Sequence, residues 1–407
     1  MQSGPEAKRF LIVNPDIGGG KTVFTQIISE ELKDQGAEVE VFYFSRGNPI
    51  TRLARFGLNE WYKRSAKPGY LERKFHSDEV RAGNGRASKL LNHQALRKAA
   101  REKREIVSVS AIAARGAPYR SSVMGDVHPE ISAADANTTA YVTLPEAEEA
   151  LIKDDKIKDV KVTGFLVPPI LREQDKKRGN ERLDKFEKYV DGEPTVDNPL
   201  RLTFMTTGQY QHLDYLKTHV LKDPIIQEWI QQGKVKLTVY MWKSKLKAYE
   251  VYKHAKNLKL DAELTSEYDP ESEAGVQVFS HHNPIKATET SFQIVNDTDI
   301  VLSVMAERVG WTRYVPTIAL DPGEVNNNMI ENTQWARSPG LIGPQSEEEN
   351  IGQTIREQLS DPYSRLRNYY SIGDAVRFYY TEVVGDKKFD VFNGANNIAA
   401  HLVSKTG

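Results

Sequence analysis

The stretch Asn14-Pro15-Asp16-Ile17-Gly18-Gly19-Gly20-Lys21-Thr22 limits more than any other what this chain can fold into. It follows Phe10-Leu11-Ile12-Val13, a short apolar run that reads as a buried parallel strand. Beyond it, Val23, Phe24, Ile27, Ile28 and Leu32 recur at helical spacing, and Gly36 closes the helix. Val39-Glu40-Val41-Phe42-Tyr43-Phe44 reads as a second strand. The whole is one βαβ unit with three glycines at its first strand-to-helix turn. Glycine lets the backbone bend tightly there and lets a ligand approach its N–H groups. The positive end of the helix suits an anion.

The same rhythm continues. Strands are predicted at 106–110, at 119–130 with Asp126 and His128 at its C-terminal end, at 139–144, and at 160–169 where Pro168 and Pro169 end it, with a helix over 145–153. A charged, turn-rich stretch from 172 to 199 reads as a polar helix and a linker. The pattern then restarts with strands at 200–205, 235–241, 275–280, 300–304 and 315–320, a helix marked by Leu213, Leu216, Val220 and Leu221, and C-terminal helices at 375–384 and 394–403. Two successive sets of β-α units predict an α/β protein of two Rossmann-like, doubly wound domains facing across a cleft. The expected division is an N-terminal domain over 1–172 with the helices of 385–407 packing back on it, a linker over 173–199, and a C-terminal domain over 200–384.

Composition narrows the classes. The 407 residues have no cysteine, which removes disulfides and thiolate metal sites and fits a cytoplasmic protein. The first eight residues are polar, so no signal peptide is expected, and no apolar run approaches the ~18–20 residues of a membrane span. The net charge of −1 gives no global field for nucleic acid. Locally the balance differs: from Arg46 to Arg104, sixteen Lys or Arg stand against five Asp or Glu, a net of +11. Ile50, Leu53, Phe56, Leu58, Trp61, Tyr62, Tyr70, Leu71 and Phe75 are interleaved with these cations. Such a block reads either as a solvated face or as a surface for anionic membrane lipid through residues 46–104. The lipid reading would place the protein peripherally on the inner face of the membrane.

At this point the chain resembles GT-B glycosyltransferases, in particular the group of the lipid II-forming peptidoglycan transferase and the monogalactosyldiacylglycerol synthases. The resemblance is scattered over both halves. It rests on Gly19-Gly20-Lys21, Gln35-Gly36, Gly125-Asp126-Val127-His128-Pro129 and Val162-Thr163-Gly164 in the first half. In the second it rests on Thr206-Thr207-Gly208-Gln209-Tyr210, Val278-Phe279-Ser280, Val315-Pro316-Thr317-Ile318 and Asn328-Met329-Ile330-Glu331-Asn332. Three positions depart from the group's pattern. Lys21 stands where it has a histidine, Tyr210 replaces a glycine of the diphosphate turn, and Pro168-Pro169 stand where an arginine is usual, with Arg172 nearby.

The resemblance implies an inverting transfer of a sugar from a nucleotide-diphosphate donor, uridine-based, to a lipid-linked or other hydroxyl acceptor at the membrane surface. No cofactor beyond the nucleotide-sugar co-substrate is implied, and no metal. Thr206, Thr207, Gly208, Gln209, Ser280, Glu307, Asn328 and Asn332 would hold the donor, and Gly19 and Gly20 the acceptor. Asp126 would act as base beside His128. Lysine is normally protonated at neutral pH, so Lys21 suits stabilisation of anionic charge better than proton abstraction.

Other readings stay open. The glycine turn is also compatible with a plain structural link, or with a catalytically inactive nucleotide- or sugar-binding protein on the same fold. An epimerase-like enzyme on a similar scaffold is a third class. An NTPase phosphate loop needs glycine where Pro15 stands. Asp297-Thr298-Asp299 reads as a capping turn before a strand rather than a metal pair. His281-His282 reads as a solvated loop rather than a metal site.

Overall fold

The computed structural model describes residues 7–16, 19–64, 86–110, 113, 117, 120–125, 138–152, 157, 159–206, 212–304, 308–320, 327–342 and 350–405. For 54, 58–64, 86–91, 150, 327–329 and 362–369 the description covers the backbone only. The chain divides into two compact units. The first comprises Met1–Val167, Glu324–Glu331 and Arg377–Gly407; the second comprises Pro168–Gly323 and Asn332–Val376.

In the first unit, six parallel strands run in the order β2-β1-β3-β4-β5-β6. They are β1 (Arg9–Asn14), β2 (Glu38–Tyr43), β3 (Glu105–Ser108), β4 (Arg120–Val123), β5 (Thr138–Val142) and β6 (Asp159–Val162). Phe10, Leu11, Ile12 and Val13 are all fully enclosed, as the continuous apolar run of β1 requires of a strand covered on both faces. Each such side chain contributes on the order of 1.5–3 kcal/mol by leaving water. Leu11 and Val13 join Phe42, Phe44, Ile106, Ala95 and Ala99, the last two from α3 (Arg86–Glu102). Ala140, Val142, Ala147, Leu151 and Val160 form a second cluster with α4 (Pro145–Ile152).

α1 (Gly20–Asp34) buries Val23, Phe24, Ile27, Ile28 and Leu32, the apolar stripe read from the sequence. It packs beside the C-terminal helix Gly394–Ser404, to which Gln35 Nε2 donates at 3.0 Å through Asn396 Oδ1. The chain returns to this unit beside Gly164, whose φ of +91 and 2.4 Å gap from an added Cβ to the Val391 carbonyl admit only glycine.

In the second unit, six parallel strands run β12-β11-β7-β8-β10-β9. They are β7 (Leu200–Met205), β8 (Val235–Tyr240), β9 (Ala262–Thr265), β10 (Val276–Phe279), β11 (Ile300–Ser303) and β12 (Thr317–Ala319). The short edge strand β9 is absent from the sequence reading. It spans only four residues, Ala262-Glu263-Leu264-Thr265, with Leu264 at 40% exposure, so no continuous apolar run marks it.

Residues 173–199, read as a polar helix and linker, lie inside this second unit. After α5 (Pro169–Glu173), α6 (Asp175–Phe186) docks through Arg182, which is 3% exposed. Its guanidinium donates to the backbone carbonyls of Thr298 at 3.0 Å, Tyr314 at 2.8 Å and Asn296 at 3.3 Å. Arg178 pairs with Asp297 and Lys185 with Asp299. A helix that looks like a solvated spacer by charge is held because its cations meet backbone carbonyls and carboxylates. Asp299 also accepts from Arg201 N at 2.8 Å, so both carboxylates of Asp297-Thr298-Asp299 serve the packing of α6 and β7. Burial and then the Arg178 charge act oppositely on Asp297, and its pKa is raised on balance.

Candidate functional site

In each doubly wound sheet, chemistry belongs at the carboxyl ends of the strands near the point where the strand order reverses. In the first unit that point lies between β1 and β3. β1 ends at Asn14, whose side chain organises the turn that follows. Its Oδ1 accepts from Asp16 N at 2.7 Å, and its Nδ2 donates to Thr25 Oγ1 at 3.0 Å. Asp16 sits at φ 47, a left-handed conformation that Asp tolerates, and is 4% exposed. Its carboxylate accepts from Arg55 Nε at 2.7 Å, and its carbonyl from Arg55 Nη2 at 3.2 Å. Arg55 comes from α2 (Pro49–Arg64), so one basic residue of the cationic block is a fixed part of the glycine turn.

Gly19 is the N-cap of α1 and supplies no side-chain cap, and the first turn carries no acid. Gly20 and Lys21 open the helix. Thr22, the next residue, is fully enclosed, and its Oγ1 has no hydrogen-bond partner. A helix start without a side-chain cap, a lysine and an unsatisfied hydroxyl thus share one turn. At the end of β3, the single Ser108 hydroxyl proton has two carbonyl acceptors in reach, Ser110 at 2.8 Å and Ala113 at 2.9 Å. At the end of β4, Gly125 lies against the Phe24 ring of α1, where an added Cβ would sit 2.0 Å from a ring carbon. That contact seats the β4 terminus on the first turns of α1. Asp126 and His128, the expected base and its neighbour, lie outside the described residues.

In the second unit β7, β8 and β10 are adjacent. Thr206, two-way bonded to the Tyr240 carbonyl (N at 3.3 Å, Oγ1 at 2.7 Å), is 3% exposed at the end of β7. Ser280, 4% exposed, follows β10, and its N donates to the Thr265 carbonyl at 3.0 Å. Strand adjacency therefore brings the ends carrying Thr206 and Ser280 to the same edge. Asn332 is fully enclosed on the helix Asn327–Arg337, and Asn328 is on the same helix. Thr207, Gly208, Gln209 and Glu307 lie outside the described residues. His281 and His282 stack with ring centroids 4.6 Å apart, and His281 Nδ1 is 3.0 Å from Asn283 N. Adjacent residues on a strand would diverge; these have left the strand and turn together into the cap of the next helix.

Sequence reasoning missed Asn14, Asp16, Arg55, Thr22 and two aromatic-cation groupings in the second unit. Arg308 there is 7% exposed, with its guanidinium 5.9 Å from the Tyr240 ring centre and 5.7 Å from that of Trp311. Lys243 Nζ lies 4.2 Å from the ring centre of Trp242. A polar residue at a strand end before a glycine turn was a usable signal for Asn14; the other contacts are made by residues distant in sequence or by backbone conformation.

Two six-stranded parallel sheets of these topologies with flanking helices define the GT-B fold. The UDP-GlcNAc 2-epimerase from Neisseria meningitidis bound to UDP-GlcNAc superposes with a TM-score of 0.52 at 10% identity, covering 98% of this chain and 100% of that one. The S. aureus MnaA–UDP co-structure gives 0.49 at 10% identity over 98% and 95% of the two chains. MurG from Acinetobacter baumannii gives 0.44 at 12% identity over 92% and 99%. No protein-family model matches the chain. No curated protein matches it in sequence either.

Proposed function

We propose that the protein is an inverting glycosyltransferase that moves a sugar from a uridine diphosphate donor to a hydroxyl acceptor at a membrane surface. The fold is one on which nucleotide sugars are bound, UDP-GlcNAc in the Neisseria epimerase among them. The observation that carries the reading is the first turn of α1. Its uncapped N-terminus, Lys21 and the unsatisfied Thr22 hydroxyl offer donors to negative charge on an acceptor or in the transition state. Gly19 and Gly20 let that group approach the backbone. Asp126 takes the acceptor proton as the oxygen attacks the anomeric carbon, with His128 beside it. Thr206, Thr207, Gly208, Gln209, Ser280, Glu307, Asn328 and Asn332 hold the donor, all but Asn328 from the second unit. Charge on the leaving diphosphate is met by N–H groups and cations, with no metal required.

Residues 46–104 provide the membrane contact. On α2, Ile50, Leu53 and Phe56 recur every third residue and are 64%, 72% and 60% exposed, with Arg46 and Arg52 also exposed. An apolar face rimmed by cations suits an anionic leaflet. The Arg55–Asp16 pair ties that helix to the glycine turn. Among the described residues no helix is long and apolar enough to cross a membrane.

The test is uridine diphosphate release from a panel of sugar nucleotides, with and without a polyprenyl or diacylglycerol acceptor. Acceptor-dependent release, abolished in Asp126→Asn, is the expected result. Binding without turnover would favour an inactive sugar-nucleotide binder. Free sugar with an inverted ring carbon, formed without acceptor, would favour an epimerase. For the membrane contact, anionic vesicles should float the protein at low salt, and Leu53→Glu with Phe56→Glu should abolish flotation.

A further inference from the structure

Trp242, two residues past the carboxyl end of β8, has a conformation and a surrounding that packing alone does not require. Its φ is +44, in the left-handed region that a bulky side chain rarely adopts. Its ring is 5% exposed, and its indole N–H is buried with no hydrogen-bond partner, although buried tryptophans ordinarily find one. Its backbone is firmly placed: the Trp242 carbonyl accepts from His281 N at 2.8 Å, prolonging the β8–β10 ladder. The neighbouring strand end is fixed in turn by the double bond from Thr206 to the Tyr240 carbonyl. The strained residue therefore stands on the carboxyl edge of the central strands, between the ends of β7 and β10. Strain held at such an edge, together with a donor kept dry and unpaired, is the signature of a site that is completed by a ligand. The Lys243 ammonium, 4.2 Å from the indole ring centre, puts positive charge beside that donor, which suits an anionic ligand.

We propose that Trp242 is a ligand-binding residue of the second unit. Its indole N–H donates to a diphosphate oxygen of the nucleotide-diphosphate sugar, with the Lys243 charge alongside. This rests on the reading of the second unit as the nucleotide-sugar half. It adds the turn after β8 to the turn after β7 as a diphosphate contact.

The experiment is calorimetric titration of the full chain with uridine diphosphate and with uridine, for wild type and Trp242→Phe, together with melting of the unliganded proteins. Phenylalanine keeps an aromatic ring and removes the donor. The variant should bind uridine diphosphate about tenfold more weakly, bind uridine unchanged, and melt at the same or a higher temperature, since an unsatisfied buried donor has gone. Equal affinity of both proteins for uridine diphosphate would overturn the role of Trp242 and leave the nucleotide reading standing. Failure of the wild type to bind uridine diphosphate would overturn both. If the variant does not fold, 15N-labelled wild type decides: the chain has five tryptophans, and one indole N–H resonance must move downfield with uridine diphosphate but not with uridine. Five unmoved resonances would refute the assignment.

Discussion

The helix that leaves the glycine turn of the first unit and three helices of the second begin in opposite ways. In the second unit the helix Lys245–Asn257 after β8 is capped by Ser244, whose Oγ accepts from Lys247 N. The helix Pro284–Asp297 after β10 is capped by Asn283 through Ile285 N, and Pro224–Gln231 by Asp223 through Ile226 N. Each has used its own side chain to meet an orphan N–H group. α1 has a glycine cap with no side chain, a lysine in its first turn and an unsatisfied threonine hydroxyl. A closed N-terminus has met orphan donors with its own side chain; one with no side-chain cap and an extra unpaired donor has not. The difference teaches that helix position alone does not nominate an anion site. What the cap leaves unpaired does.

Five experiments break or sharpen this contrast, from the largest effect down. Arg55→Ala strands the enclosed Asp16 carboxylate at the open turn. It should cost about 2–3 kcal/mol in urea unfolding, less than a fully buried pair because Arg55 is partly exposed. Asp16→Asn in the same background should restore much of that. A loss under about 0.5 kcal/mol would show that the turn does not depend on α2. Gly125→Ala pushes a methyl into the Phe24 ring and should cost about 1–3 kcal/mol, unless the β4 end is free to retreat from α1.

On the closed side, Asp223→Ala removes the acceptor for both Ile226 N and Gly352 N, each at 3.0 Å. It should cost about 1–2 kcal/mol by thermal or urea unfolding. Thr22→Val should go the other way, leaving the unliganded protein as stable or up to about 1 kcal/mol more stable, while turnover falls. A destabilised Thr22→Val would mean that the hydroxyl is satisfied and the turn is not open.

The smallest effect is electrostatic and lies at the far end of the first unit. Hydrogen bonds from Arg101 and then Arg104 lower the Glu102 carboxyl from 4.5 to about 2. A depressed carboxyl adds stability that is complete above its unfolded value and lost as pH falls towards its folded one. The advantage of wild type over Glu102→Gln should therefore persist at pH 6 and fade between about pH 4.5 and 2 in urea melts. An advantage that survives at pH 2 would refute the pairing.

Most strands were legible because a parallel strand covered on both faces must be continuously apolar, and Phe10-Leu11-Ile12-Val13 is such a run. The stripe of α1 was legible for the same reason at a different period. β9 was not, since a short edge strand with a half-open face needs no such pattern. The position of 173–199 was not, because charge density says how a helix is solvated in isolation and nothing of the carbonyls that await Arg182.

At the glycine turn, the order of residues alone dictated that an apolar strand meets three glycines and then a helix. Only the tertiary structure decided which donors stay unpaired. Thr22 is orphaned because burial removed its water and nothing else was brought to it. Trp242 takes a left-handed backbone past the end of β8, where its carbonyl is held by His281 N of the β10 side. Asp16 is neutralised by an arginine 39 positions away. Propensity and periodicity are local properties of a chain, whereas satisfaction of a polar group depends on what the whole fold places beside it.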